Sequence, residues 1–243
     1  NGFDLMINLE RAERADHVTR LMERVSGVEK AEGWIGTSTR RIYPDDTEGT
    51  SFQLIGVPPE TRMMNPEIVR GRWLLPQDQN ALVVSVDVMK NNPDLSLGDS
   101  IVLSVDGKEK SWRIVGVMVT LQGMQNAYTP FDYYGRVTGE VDKTQTVVVR
   151  TTRTDETFVT AVGKELDDYL KRRSIGISGM MYTYENRATS QMFFSIIIGA
   201  LLAMALVVAA VGGLGLAGTM SLNVIERTRE IGVMRAIGAS NGR

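Results

Sequence analysis

The sequence predicts an α+β outer domain, a split βαβ layer carrying an inserted mainly-β subdomain, followed by one transmembrane helix and a short cytoplasmic helix. Three observations carry this. Two segments, near the start and near residue 150, each read as strand, helix, strand. The stretch between them reads almost wholly as strands. A charge-free run from Ala188 to Ile225 then precedes an arginine-bearing tail. Such a run is longer than a buried core helix needs.

The first unit opens with a short strand over 5–9. A helix over about 12–25 follows, with Ala15, Val18, Leu21, Met22 and Val25 on one face, and a second strand runs over 28–42. The later unit opens with TVVVRT at 146–151, an apolar run of the kind a buried strand shows. Thr154 is placed to cap the next helix, with Asp155 and Glu156 in its first turn, where negative charge meets the helix dipole. Phe158, Val162, Leu166 and Leu170 recur every four residues, and Lys171, Arg172 and Arg173 close the helix. A last strand over 175–184 leads into the apolar run. Two such units folded together make a ferredoxin-like layer, assigned to residues 1–53 and 144–190.

Residues 54–143 form the inserted β-rich subdomain. Its firmest element is a hairpin in which SIVLSV (100–105) and KEKSWRIVGVMV (108–119) flank Asp106-Gly107. That pair suits a type I′ turn, whose two central residues both need φ > 0. LVVSVDVM (82–89) reads as a further strand and LSLGD (95–99) as a turn feeding the hairpin. Trp73 and Trp112 read as core residues of this subdomain.

The membrane helix is assigned to 191–223. Its apolar centre, 192–222, extends about 46 Å as a helix at ~1.5 Å per residue. A hydrocarbon core is only ~30 Å thick, so the helix spans it and projects beyond. Arg227, Arg229, Arg235 and Arg243 follow the span, while Arg187, beside Glu185, stands alone just before it. Positive charge is retained on the cytoplasmic side, so residues 1–190 are expected to be extracytoplasmic and 224–243 cytoplasmic. The opening NGFDLMINLERAERAD has no basic region leading into an apolar one, as a signal peptide would. The export address is therefore expected upstream, as an earlier membrane helix, and the sequence reads as an interior piece of a longer multi-pass protein. Within the span Gly199 and Ala203 form a small-xxx-small pair. Ala205, Ala209 and Gly213 repeat the spacing, and Gly212, Gly215 and Gly218 crowd the cytoplasmic half. Small residues let membrane helices approach closely.

Composition excludes several functions. Residues 1–190 carry a net charge of −4 and the tail +2, with no basic patch dense enough for nucleic acid. With no cysteine there is neither a disulfide nor thiolate chemistry, an absence that fits an oxidising outer compartment. His17 is the single histidine, in a polar stretch, and reads as solvated rather than as a metal ligand. AVGKEL (161–166) lacks the glycine loop that cradles phosphate. Asp45-Asp46 and Asp167-Asp168 read as surface charges, and Tyr133-Tyr134 and Met180-Met181 as packing or surface pairs. No catalytic residue, metal ligand or cofactor site is assigned, and the outer part reads as built to bind, pack or transmit.

The tail over 226–238 can form a short helix. Ile231, Met234 and Ile237 are expected on one side, and Glu226, Arg227, Arg229 and Glu230 on the other. Such an amphipathic segment suits a membrane surface or a partner protein.

The tail ERTREIGVMRAIGAS (226–240) resembles the signature after the second membrane helix of the MacB/FtsX-like permeases of ABC transporters. GRWLLPQDQNALVVSVDVMKNN (71–92) is similar to a strand-and-helix segment of that family. LSLGDSIVL (95–103) resembles its LxxGD stretch, WRIVGVM (112–118) the strand that follows, and AYTPFDYY (127–134) its aromatic-proline loop. The likeness runs from about residue 5 to residue 243. It implies a dimeric permease of the cell membrane with four membrane helices, a porter-like extracytoplasmic domain after the first and a coupling helix after the second. Each copy would bind an ATP-hydrolysing subunit or domain, which holds ATP and magnesium, and use ATP to move the outer domain rather than to carry substrate across the bilayer. The coupling residues it implies are Glu226, Arg229, Glu230, Ile231, Gly232, Met234, Arg235, Ile237 and Gly238. A second permease copy, identical or not, and an extracytoplasmic protein are further expected partners. Antibiotics, peptides, lipoproteins or a regulated wall hydrolase are all compatible as the object of export or extraction. The alternatives are an extracytoplasmic sensor of a membrane signalling protein and a membrane-anchored adhesion or assembly domain. A sensor would continue into a heptad pattern, which 226–243 does not show.

Overall fold

The computed structural model describes residues 2–120 and 124–237, the stretch 184–194 by its backbone alone. They form two units, divided between Asn186 and Arg187.

The first unit begins with β1 (Leu5–Arg14), α1 (Ala15–Met22) and β2 (Val28–Ile42). Its later strands and helix, β9 (Lys143–Thr151), α4 (Glu156–Lys171) and β10 (Ile177–Tyr182), make the second strand–helix–strand unit. The two interleave in the order β10-β1-β9-β2, every neighbour antiparallel. Each βαβ thus straddles a strand of the other, which is the split βαβ arrangement. Alternation along β1 explains the packing. Leu5, Ile7 and Leu9 are buried beneath Val18, Leu21 and Met22 of α1 and Val159, Val162, Leu166 and Leu170 of α4. The cap of α4 is Asp155 rather than Thr154: its carboxylate accepts the Phe158 N–H at 3.2 Å.

The intervening chain supplies β3 (Glu48–Val57), β4 (Glu67–Gly71), β5 (Ala81–Ser85), α2 (Val86–Asn91), β6 (Ser100–Val105), β7 (Lys108–Val119), β8 (Asn126–Pro130) and α3 (Phe131–Thr138). Its strands continue the sheet as β2-β3-β8-β5-β7-β4, with β6 pairing both β2 and β7. The join falls inside β2. Its first half pairs with β9, and Ile35 onward pairs with β3. β3 therefore pairs in the inserted sheet, although residues up to 53 read from sequence as part of the first layer.

The hairpin forms as expected, with Asp106 at φ 50° and Gly107 at φ 75° between β6 and β7. Two helices replace expected strand. LVVSVDVM breaks at Ser85, whose hydroxyl accepts the Val88 N–H and starts α2. The helix α3 begins after Pro130, carries Asp132 in its first turn and ends on Gly139 at φ 87°. Trp112 is completely buried at the centre of this core, while Trp73 is only partly covered.

The last element is α5 (Thr183–Ala236), 54 residues or about 80 Å. Two differences from expectation meet here. The strand β10 stops at Tyr182, and the tail continues the span without a break. Between Met220 and Arg229 there is neither proline nor glycine, so nothing in the sequence interrupts the helix.

Candidate functional site at the end of the apolar helix

Within α5, residues Ser195–Ala236 are long and apolar enough to cross a membrane, and none is buried within the chain. Leu201, Leu206, Leu214 and Leu222 are each more than half exposed. Burial inside the chain does not account for this apolar surface, which has the length and composition of a membrane span. An added Cβ at Gly199, Gly212, Gly213, Gly215 or Gly218 would meet nothing within 4 Å, so those faces are open for a neighbour. Ala203 lies one turn beyond Gly199, exposed like it. The Thr219 hydroxyl is satisfied inside the helix by the Gly215 and Leu216 carbonyls, at 3.1 and 3.0 Å.

At the end of the span, Glu226, Arg229, Glu230, Val233 and Met234 line one shallow surface. Steps of three and four residues return to the same helix face. This differs from the two-sided tail expected from sequence, because Met234 lies among the charges. Ile231, Met234 and Ile237 are three residues apart and drift around the helix by about 60° per step. They share no narrow ridge. Val233 was missed, although its spacing from Glu226, Arg229 and Glu230 was the available signal. Ile231 is 51% and Ile237 79% exposed. Gly232 meets nothing within 4 Å. Arg235 closes the last turn of α5, where positive charge suits the helix dipole. Gly238 lies outside the described residues. The chemistry on offer is recognition: apolar anchors interspersed with both signs of charge.

The first unit has a cavity of about 530 Å³ lined by Arg72, Asp78, Gln79, Asn80, Leu97 and Arg113. Arg72 grips Asp78 through both carboxylate oxygens, at 2.6 and 2.8 Å, and this holds the Asp78 carboxyl below the usual carboxylate range. Arg113 Nε donates to the Gly98 carbonyl at 3.3 Å. Among the described residues no group of three or more His, Cys, Asp or Glu could hold a metal ion.

Comparison with known proteins identifies this arrangement. Residues 6–169 match the model of the MacB-like periplasmic core domain, and residues 202–243 that of the FtsX-like permease C-terminal region. The sequence is 25% identical over 182 residues to an ABC transporter permease of Methanocaldococcus jannaschii, covering 71% of this chain and 43% of that protein. It is 34% identical over 94 residues to the macrolide export ATP-binding/permease protein MacB of Brucella abortus, covering 39% of this chain and 14% of that protein. The chain thus spans less than half the length of these relatives. In fold it is similar to the periplasmic region of MacB from Actinobacillus actinomycetemcomitans. That likeness has a TM-score of 0.56 and 14% identity, over 78% of this chain and 94% of that one. It is also similar to the extracellular domain of the noncanonic ABC-type transporter YknZ from Gram-positive bacteria. There the TM-score is 0.53 and the identity 16%, over 74% of this chain and 98% of that one. The α+β layer, the apolar helix and the tail that follows it together place this chain in the MacB/FtsX-like family of ABC transporter permeases.

Proposed function

We propose that this chain transmits ATP-driven conformational change across the cell membrane to its extracytoplasmic domain. Residues 224–243 are the cytoplasmic coupling element, docked on an ATP-hydrolysing subunit or fused domain that binds ATP and magnesium. The chain itself works without catalysis, as one of two permease copies. Its mechanical output serves export or extraction of a substrate outside the membrane, through an extracytoplasmic partner where one is engaged.

One observation carries this reading. The permease C-terminal match over 202–243 contains the face on which Glu226, Arg229, Glu230, Val233 and Met234 meet, at the arginine-bearing end of the span. Apolar anchors supply affinity in such a contact, and charges supply register.

A Met234→Glu substitution in the full-length complex tests it. A carboxylate buried in the contact without a neutralising partner is strongly unfavourable. Met234 is half exposed on α5, so the chain's own fold should tolerate the change. The expected result is normal expression with loss of the co-purifying ATPase, or an ATPase uncoupled from transport-linked activity. Wild-type co-purification together with wild-type coupling would show that the tail is not the coupling element.

A further inference from the structure

The start of the described chain touches three separate parts of the first unit. The Gly2 N–H donates to the Met63 carbonyl at 3.1 Å, and the Gly2 carbonyl accepts from Arg150 Nε at 2.6 Å. The same guanidinium donates to the Arg62 carbonyl. Arg150 thereby holds the chain start against the loop between β3 and β4. Gly2 has no room for a side chain, since a Cβ there would lie 2.5 Å from the Arg62 carbonyl oxygen. Two residues on, Asp4 Oδ2 accepts the backbone N–H and the hydroxyl of Thr151, each at 2.9 Å. The Asp4 carbonyl accepts the N–H of Thr183 at 2.9 Å, and the Phe3 carbonyl accepts the Thr183 hydroxyl at 3.1 Å. Thr183 is the first residue of α5. Three residues thus bond directly to α5, to β9 and to the inserted subdomain.

The loop end of this arrangement is firmly seated. Met63 is buried in the core that contains Trp34, Val57, Tyr128 and Val148, and the Phe3 ring meets Trp34 edge-on at 5.7 Å in the same cluster. Along the paired strands of the sheet, a displacement at Thr183 reaches the end of β3, and so residue 63, by way of β10, β1, β9 and β2. The hydrogen bonds of residues 2–4 replace that route with one of two links.

We infer that residues 2–4 are a joint that passes displacement of the α5 start directly to the 58–64 loop of the inserted subdomain, with Arg150 and Asp4 as its positioning residues. This rests on the transmission reading above for its purpose, though not for its existence. A charge-assisted hydrogen bond to a backbone carbonyl is stronger than a neutral one, which suits Arg150 to a contact that must hold under displacement. Gly2 permits the backbone approach, and Asp4 fixes the strand next to it.

Amide hydrogen exchange in the full-length permease, assembled with its ATPase in lipid, separates a joint from a local brace. In Arg150→Gln, exchange should accelerate roughly tenfold around Met63, the scale of losing one charge-assisted hydrogen bond. It should also accelerate at Thr183, which Arg150 does not touch, while α4 is unchanged. Arg150→Lys should restore part of the protection at both places. Thr183→Val, which removes the hydroxyl bond to Phe3, should accelerate exchange around Met63 in return, and it serves if Arg150→Gln loosens the whole unit. Acceleration confined to the substituted end in either variant would overturn the joint. The wild type compared in ATP and ADP tests the purpose separately. Exchange over 58–64 that ignores nucleotide, beside variants that respond at both ends, would overturn the transmission reading and support the joint.

Discussion

Arg41 shows what a single residue can hide from sequence. It lies in β2 with only a tenth of its side chain exposed, and its guanidinium reaches both oxygens of Asp94, at 2.8 and 2.5 Å, and Asn92 Oδ1 at 3.1 Å. The Tyr43 ring lies beneath it, 4.4 Å from the guanidinium carbon. Arg41 and Asp94 are 53 positions apart, so no local pattern announces the pair. His17 and Trp112 were legible for the opposite reason: a polar stretch leaves the first exposed, and an apolar strand buries the second. The Asp94 carboxyl is held below its ordinary value, chiefly by the hydrogen bonds from Arg41, as Asp78 is by Arg72. A depressed carboxylate stabilises the fold fully above its unfolded value of about 3.9 and loses that contribution as pH falls through its folded value. All three tryptophans belong to the first unit, so their fluorescence follows its unfolding in the solubilised protein. The double variant Asp94→Asn, Asp78→Asn should have a lower Tm at pH 7 and a shallower fall between pH 5 and 3. A curve that parallels wild type throughout would show that the two pairs contribute nothing.

Elements were legible where their signal was local. Asp106-Gly107 marked its hairpin because both residues occupy the positive φ the turn needs. Residue patterning showed neither α2 nor α3 within the inserted subdomain, although the family likeness of 71–92 implied a helix after the strand there. Each is short, six and eight residues, which leaves little length for a helical period to stand out against the strand before it. Their caps were the missed signals, Ser85 for α2 and Pro130 with Gly139 for α3. In α5 the glycine-rich stretch offers a clean test of helix association. A Cβ at Gly213 or Gly215 meets nothing within 4 Å, so a larger residue disturbs nothing inside the chain. Gly213→Leu and Gly215→Leu should lower the dimer yield in detergent several-fold, since close-packed membrane contacts contribute on the order of 1 kcal/mol each. Unchanged yield in both would mean that the glycines face lipid.

At the scale of the whole molecule, the interleaved layer β10-β1-β9-β2 followed from two strand–helix–strand patterns and the rule that such units fold together. The crossing of β2 from one part of the sheet to the other did not follow. Nor did the parallel pairing of β3 with β8 and of β5 with β7. Strand partners far apart in sequence are chosen by burial on both faces, and periodicity reports only the face. The tail was recognised by its motif, while the way its charges and Met234 share a face required the helix itself. The central claim, that nucleotide in the partner moves the outer domain through this chain, can be measured at one exposed position. Glu109 lies exposed on the β6–β7 hairpin, and these 243 residues hold no cysteine, so Glu109→Cys accepts a single environment-sensitive fluorophore once any cysteines elsewhere in the complex are replaced. In the full complex in lipid, that signal should change between ADP and ATP with vanadate, and the change should vanish when Met234→Glu is added. A signal indifferent to nucleotide in the otherwise wild-type complex, or a change that survives Met234→Glu, would contradict the account.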